Sequence, residues 1–149
     1  MENEAFVVSA DKARPAEENE ENAEDWTDLE RFQHFITSEY PLRRLVCVRG
    51  LAETMGSVSV GEAIEVALPL LAAVSNDDES SVRDALSTQM APMLKSLIPR
   101  ADDDQAELIM NLSWPVSMTL LRDKDQQVRA GSTVLLIWQS SVSPHIAAR

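Results

Sequence analysis

The stretch Leu121–Gly131, LRDKDQQVRAG, sets a run of charge and amide, Arg122 to Gln127, directly before Val128-Arg129 and a long apolar segment. Ser75–Ala85, SNDDESSVRDA, repeats the arrangement, with an acidic run, Asp77 to Glu79, leading into Val82-Arg83. Two copies of one unusual order point to an internal repeat, the feature whose omission mis-assigns a whole fold. Pro69, Asp77, Val82 and Arg83 stand at offsets 0, 8, 13 and 14, and Pro115, Asp123, Val128 and Arg129 stand at the same offsets 46 residues later. A conjunction of four positions is far more specific than any one of them.

Outward from these copies the pattern is helical. Val82, Ala85, Leu86, Met90, Met93, Leu94 and Leu97 share one face at helical spacing, which predicts a helix from about Ser80 to Leu97, bent at Pro92 and ended by Pro99. A helix over about 60–74 carries Pro69 inside it, and one over about 104–121 carries Pro115. The last runs from about Gln127 to Val142. Towards the N-terminus, Trp26, Leu29, Phe32 and Ile36 predict a first helix capped by Thr27 or Asp28 and broken at Tyr40-Pro41. Leu45, Val48, Leu51, Ala52 and Met55 form the stripe of a second, with Gly56 as its stop. No segment pairs convincingly as strands.

Composition agrees with helices. Gly is scarce at 4 residues, which disfavours a fold of many tight turns, and aromatics are only 5% of 149 residues. The formal net charge of -12 disfavours nucleic acid and anionic membrane as partners, since both need a basic face. Residues 1–28 hold ten of the acids and two of the bases, so most of the excess sits at one end. Residues 1–25 are expected to be a disordered acidic tail, too poor in apolar side chains to offset the entropy of ordering. A single cysteine, Cys47, excludes an internal disulfide and fits a reducing compartment. No apolar run approaches a membrane span, and the N-terminus has acids where a signal peptide needs a basic end and an apolar stretch, so a cytoplasmic or nuclear location is expected.

The four-position pattern resembles the HEAT repeat, whose unit is an antiparallel helix pair of roughly 40–47 residues that stacks into a solenoid. The resemblance implies an all-α fold, an α-solenoid of about three such pairs over 26–149, with approximate repeats at 26–57, 60–98 and 103–143. Pro69 and Pro115 would kink the first helices, and Val82 and Val128 would face the core. Asp77 and Asp123 would lie in the turns, and Arg83 and Arg129 would open the second helices. In the family such Asp and Arg residues link neighbouring repeats, a role that charge-assisted hydrogen bonds suit. The first pair reads as degenerate. Val48-Arg49 stands 34 residues before Val82-Arg83, with Arg43 at the Asp position and Phe35 at the Pro position. That gap alone would suit a tetratricopeptide repeat, but the next gap of 46 and the absence of that family's small-residue and aromatic spacing count against it.

The segments LERFQHFITSEYPLRRLVCVRGLAETM, AAVSNDDESSVRDALSTQMAPML and LRDKDQQVRAGSTVLLIW are moreover similar to the N-terminal region of the protein phosphatase 4 regulatory subunit 1 family. This resemblance implies a noncatalytic scaffold that binds a serine/threonine phosphatase catalytic subunit and positions substrates. The turns would form the contact ridge, here Asp78, Glu79, Lys124 and Gln126. The broader alternative is a HEAT adaptor for transport or assembly. Further repeats outside this chain would also fit, because the VLLIW face of the last helix has no polar cap.

Nothing in the chain reads as an enzyme. His34 and His145 are far apart with no metal-ligand spacing, and the His-Glu pairs of a HEAT-like lyase or hydroxylase are missing. There is no Gly-rich phosphate loop and no nucleophile elbow. No cofactor is expected. NDDES and ADDDQ lack the calcium-loop pattern and read as turns or helix caps. Cys47, Met90, Met93, Met110, Met118, Trp114 and Trp138 read as packing residues.

Overall fold

The computed structural model describes residues 23–147, with side chains described through 142. Among the described residues the protein is all-helical, with no strand. The expected acidic tail lies outside the described residues over 1–22. Its last part, Ala23–Asp25, is a 3-10 turn whose Ala23 carbonyl accepts from Arg31 Nη2 at 3.2 Å.

The first helix, α1 (Asp28–Ile36), starts where a capping box completes two orphan N–H groups. Thr27 accepts from the Glu30 N–H at 3.2 Å, and Glu30 accepts from the Thr27 N–H at 2.8 Å. Next come α2 (Pro41–Arg49) and α3 (Leu51–Ser57), joined through Gly50. The segment ends at Ser57, one residue past the expected stop at Gly56, and an interruption that the sequence pattern did not indicate falls at Gly50. There the N–H is shared between the carbonyls of Val46 at 3.3 Å and Cys47 at 3.2 Å, a tightened turn.

The third segment is α4 (Val60–Glu62), a π turn (Ala63–Ala67) and α5 (Leu68–Val74) in direct succession. The kink expected at Pro69 takes this form. The Leu68 N–H reaches back five residues to the Ala63 carbonyl, and the wider turn accommodates the proline ring that follows. Pro92 and Pro115 stay exposed inside α6 (Ser80–Leu97) and α7 (Asp103–Leu121). A 3-10 turn, Ile98–Arg100, ends α6, and Asp102 opens α7 with a further capping box to Gln105. The last helix, α8 (Gln126–Ala147), runs past its expected end at Val142.

The central element is α6. It packs on α2 and α3 on one side and on α8 on the other. The first helices of the expected pairs also meet in series, α1 with the π turn, then the π turn and α5 with α7. Val82, Leu86, Met90, Met93, Leu94 and Leu97 of α6 are fully buried, and each such side chain stabilises the fold by roughly 1.5–3 kcal/mol. Trp138 is half-buried beneath Lys95, whose Nζ lies 5.9 Å from the ring centroid. Trp114 corrects the expectation of a packing role, since it is 41% exposed. The α7–α8 seam is more polar, with Ser113, Ser117, Ser132 and Gln139 buried. Gln139 donates to Ser113 Oγ at 3.3 Å, while its buried Oε1 has no partner among the described residues. Among the described residues no helix is long and apolar enough to cross a membrane.

Gly131 sets how closely α8 approaches α6. A β carbon there would lie 2.5 Å from Ser87 Oγ and 3.1 Å from Ser87 Cβ. Gly131→Ala gains about 1 kcal/mol of helix propensity, but overpacking costs about 1–3 kcal/mol. Urea unfolding should therefore show a net loss, partly recovered by Ser87→Ala in the same chain. A more stable Gly131→Ala variant would mean the two helices lie further apart.

Candidate functional site

One local device recurs at the start of each second helix. Asp77 accepts the N–H of Glu79 at 2.9 Å, and its backbone carbonyl accepts from Arg83 Nη1 at 2.6 Å. Asp123 does the same with Asp125 at 2.9 Å and Arg129 at 2.7 Å. Ser38 repeats it with a hydroxyl, accepting the Tyr40 N–H at 3.2 Å while its carbonyl takes Arg44 Nη1 at 2.8 Å. In every case the arginine follows the turn residue by six positions. The counterparts of Arg129 and Arg83 are therefore Arg44 at successive spacings of 46 and 39, and not Arg49, which is exposed at the end of α2. Sequence matching on Val-Arg missed this because Arg43, not a valine, precedes Arg44.

The free edge of each arginine reaches the next turn. Arg44 places Nε 2.7 Å and Nη2 3.1 Å from the Asp77 carboxylate. Arg83 places Nε 2.7 Å and Nη2 3.4 Å from that of Asp123. Both side chains of the Arg83–Asp123 pair are only 6% exposed. Burial pushes the Asp77 carboxyl up, but the Arg44 hydrogen bond, the Glu79 N–H and the arginine charges outweigh it, leaving it below the ordinary aspartate range. Asp123 follows the same balance, with Arg83, the Asp125 N–H and Lys124 opposing burial.

Between the two turns lies an open groove of about 470 Å³ with the Arg83–Asp123 pair as its floor. One wall carries Asn76 and Asp78, the other Thr119, Arg122 and Lys124. Of the ridge residues expected from sequence, Asp78 and Lys124 meet at this groove. Glu79 and Gln126 are exposed but do not line it. Arg122 is the groove cation that sequence reasoning passed over. Its position one residue before the turn Asp was the available signal.

A second cleft of about 450 Å³ is apolar and lies between α1 and α2–α3, lined by Phe32, Phe35, Leu42, Val46 and Cys47 among others. Cys47 donates to the Phe32 carbonyl at 3.7 Å, and burial pushes its thiol up to about 12. His34 stacks edge-on against Trp26 with ring centroids 4.6 Å apart. The side chain of His145 lies outside the described residues. Among the described residues no group of three His, Cys, Asp or Glu could hold a metal ion. Two tethers between neighbouring pairs also escaped sequence reading. Arg100 donates to the Met55 and Val58 carbonyls at 2.6 and 3.0 Å, and Gln89 accepts the Ala52 N–H at 3.1 Å.

No protein-family model, curated protein or solved structure matches this chain.

Removing one partner of a buried ion pair typically costs about 3–5 kcal/mol, so Asp123→Ala should be among the most destabilising single changes in urea unfolding. Both aspartates have lowered folded pKa values, so their stabilisation is present above the ordinary carboxylate value of about 3.9 and is lost as pH falls through the lower folded values. A chain with Asp77→Asn and Asp123→Asn should be less stable at pH 7 and lose less stability than the parent between pH 5 and 3; parallel curves would refute the linkage. The buried thiol of Cys47 should react with iodoacetamide at pH 8 about a hundredfold more slowly than a free cysteine, once the higher intrinsic nucleophilicity of a weak acid's thiolate is allowed for.

Proposed function

We propose that the chain is a noncatalytic protein-binding scaffold, an α-solenoid of three HEAT-type helix pairs. The observation that supports this best is the relay of corresponding turn-to-helix devices at Ser38, Asp77 and Asp123, joined by Arg44 and Arg83. In a solenoid such a relay would repeat one unit along an axis and leave the turns as a row. The bipolar groove between two of these turns suits a charged protein segment better than a small apolar ligand.

Within that class the reading taken here is a regulatory subunit of a serine/threonine phosphatase, related to phosphatase 4, acting in the cytoplasm or nucleus. It draws support from the sequence resemblance of the segments quoted above. The scaffold would hold a catalytic subunit and raise the local concentration of substrates beside it. The experiment is an affinity capture with the full chain, read by mass spectrometry against an unrelated helical-repeat protein. Enrichment of a phosphatase catalytic subunit, lowered at least fivefold by Arg122→Glu with Lys124→Glu while helicity stays unchanged, is the expected result. Capture of other proteins through the same groove would favour the broader adaptor reading, and no groove-dependent capture would sink both.

A further inference from the structure

The apolar cleft between α1 and α2–α3 lies where the chain enters the fold. Phe32 and Phe35 of α1 line it together with Leu42, Val46 and Cys47 of α2, and Leu42 and Val46 are 70% and 62% exposed. Its charged lining residues are Arg31, Arg43 and Asp28. We propose that this cleft is the docking site for the N-terminal segment of the same chain, with Ala5-Phe6-Val7-Val8 seated among those apolar side chains. The inference does not depend on the phosphatase reading.

Three observations select this occupant. The first is the direction from which the chain arrives. Arg31, a cleft residue, donates through Nη2 to the Ala23 carbonyl at 3.2 Å. Trp26 packs on Phe35, another cleft residue, with ring centroids 6.5 Å apart. Residues 1–22 therefore join the fold at the rim of the cleft. Fourteen residues separate Val8 from Ala23. An extended chain of that length reaches about 50 Å, so the whole cleft is within range.

The second observation is composition. Ala5–Val8 is the one run of four apolar residues in 1–22, and Phe6 is the one aromatic there. An aromatic with two β-branched neighbours matches a cleft walled by two phenylalanines and two aliphatic side chains. The third is charge. Residues 1–22 hold seven acids and two bases, and Glu2 and Glu4 stand just before the apolar run. In the cleft lining the arginines outnumber the acid. That acid, Asp28, already accepts from Ser57 Oγ at 2.7 Å and lies 3.6 Å from Arg31 Nη1.

Tethering favours this segment over a separate peptide of the same composition. A short tether holds a segment at roughly millimolar effective concentration, so contacts too weak to retain a free peptide suffice. A partner that used the cleft would first have to displace the chain's own N-terminus.

The test uses the full chain with isotope-labelled methyl groups. The Phe6 ring protons should show nuclear Overhauser contacts to the Leu42 and Val46 methyls that persist on about tenfold dilution. Phe6→Asp with Val7→Asp should abolish those contacts, move both methyl signals and leave helicity unchanged. It should also speed the reaction of Cys47 with iodoacetamide at least about threefold, because access limits a covered thiol. Val46→Glu, at a mostly exposed position, should abolish the Phe6–Leu42 contact from the cleft side. Unchanged Leu42 and Val46 signals together with unchanged Cys47 reactivity in the double variant overturn the proposal and leave the cleft open to a separate partner. Contacts seen only between differently labelled chains in a mixed sample overturn it as well, since a second copy would then be the occupant.

Discussion

The arrangement of this protein depends on an arginine that satisfies two turns at once. One edge of its guanidinium binds the carbonyl of the turn behind it, and the other binds the carboxylate of the turn ahead. A planar fork with five donors in fixed geometry can do this, whereas a lysine ammonium cannot present two rigid edges. The relay fixes the rise of each second helix against the next, so the apolar faces of α2–α3, α6 and α8 meet in a defined register. Burying such pairs is not favourable by itself, because desolvation opposes the Coulomb attraction. It is tolerated here because the Asp77 and Asp123 carboxylates also accept backbone N–H groups, which completes their hydrogen bonding.

Apolar packing supplies most of the stabilisation and the relay supplies the register. The fully buried leucines and methionines of α6 would pack against many helical neighbours with little preference, since dispersion and hydrophobic burial are nearly non-directional. Gly131 against Ser87 and the Arg100 clamp on the end of α3 narrow that choice further. The polar α7–α8 seam holds a buried amide oxygen with no partner among the described residues, at a typical cost of about 1–3 kcal/mol.

Much of the helix map was legible because amphipathic periodicity and caps are local. The stretch Val82 to Leu97 shows its buried face directly in the spacing of its residues, and Thr27 shows its cap. The site was legible in part. Asp77, Asp123, Arg83 and Arg129 could be singled out from the repeated offsets, and Asp78 with Lys124 from their place in the turns. The first copy was misread because the match was made on Val-Arg. The hydroxyl of Ser38 performs the backbone half of the aspartate's task and leaves no acidic signature. Trp114 was taken as packing because a side chain's burial depends on whether another helix lies over it.

The sequence by itself determined that the chain forms helices, where most of them begin, and which residues recur, since these follow from period, capping and composition within a few turns of chain. Only the tertiary structure decided that Arg44 rather than Arg49 joins the relay, that Gly50 interrupts the second helix, and that Ile137 and Trp114 stay exposed. Each of these depends on groups tens of residues apart in sequence, whose meeting is set by packing and charge pairing in three dimensions.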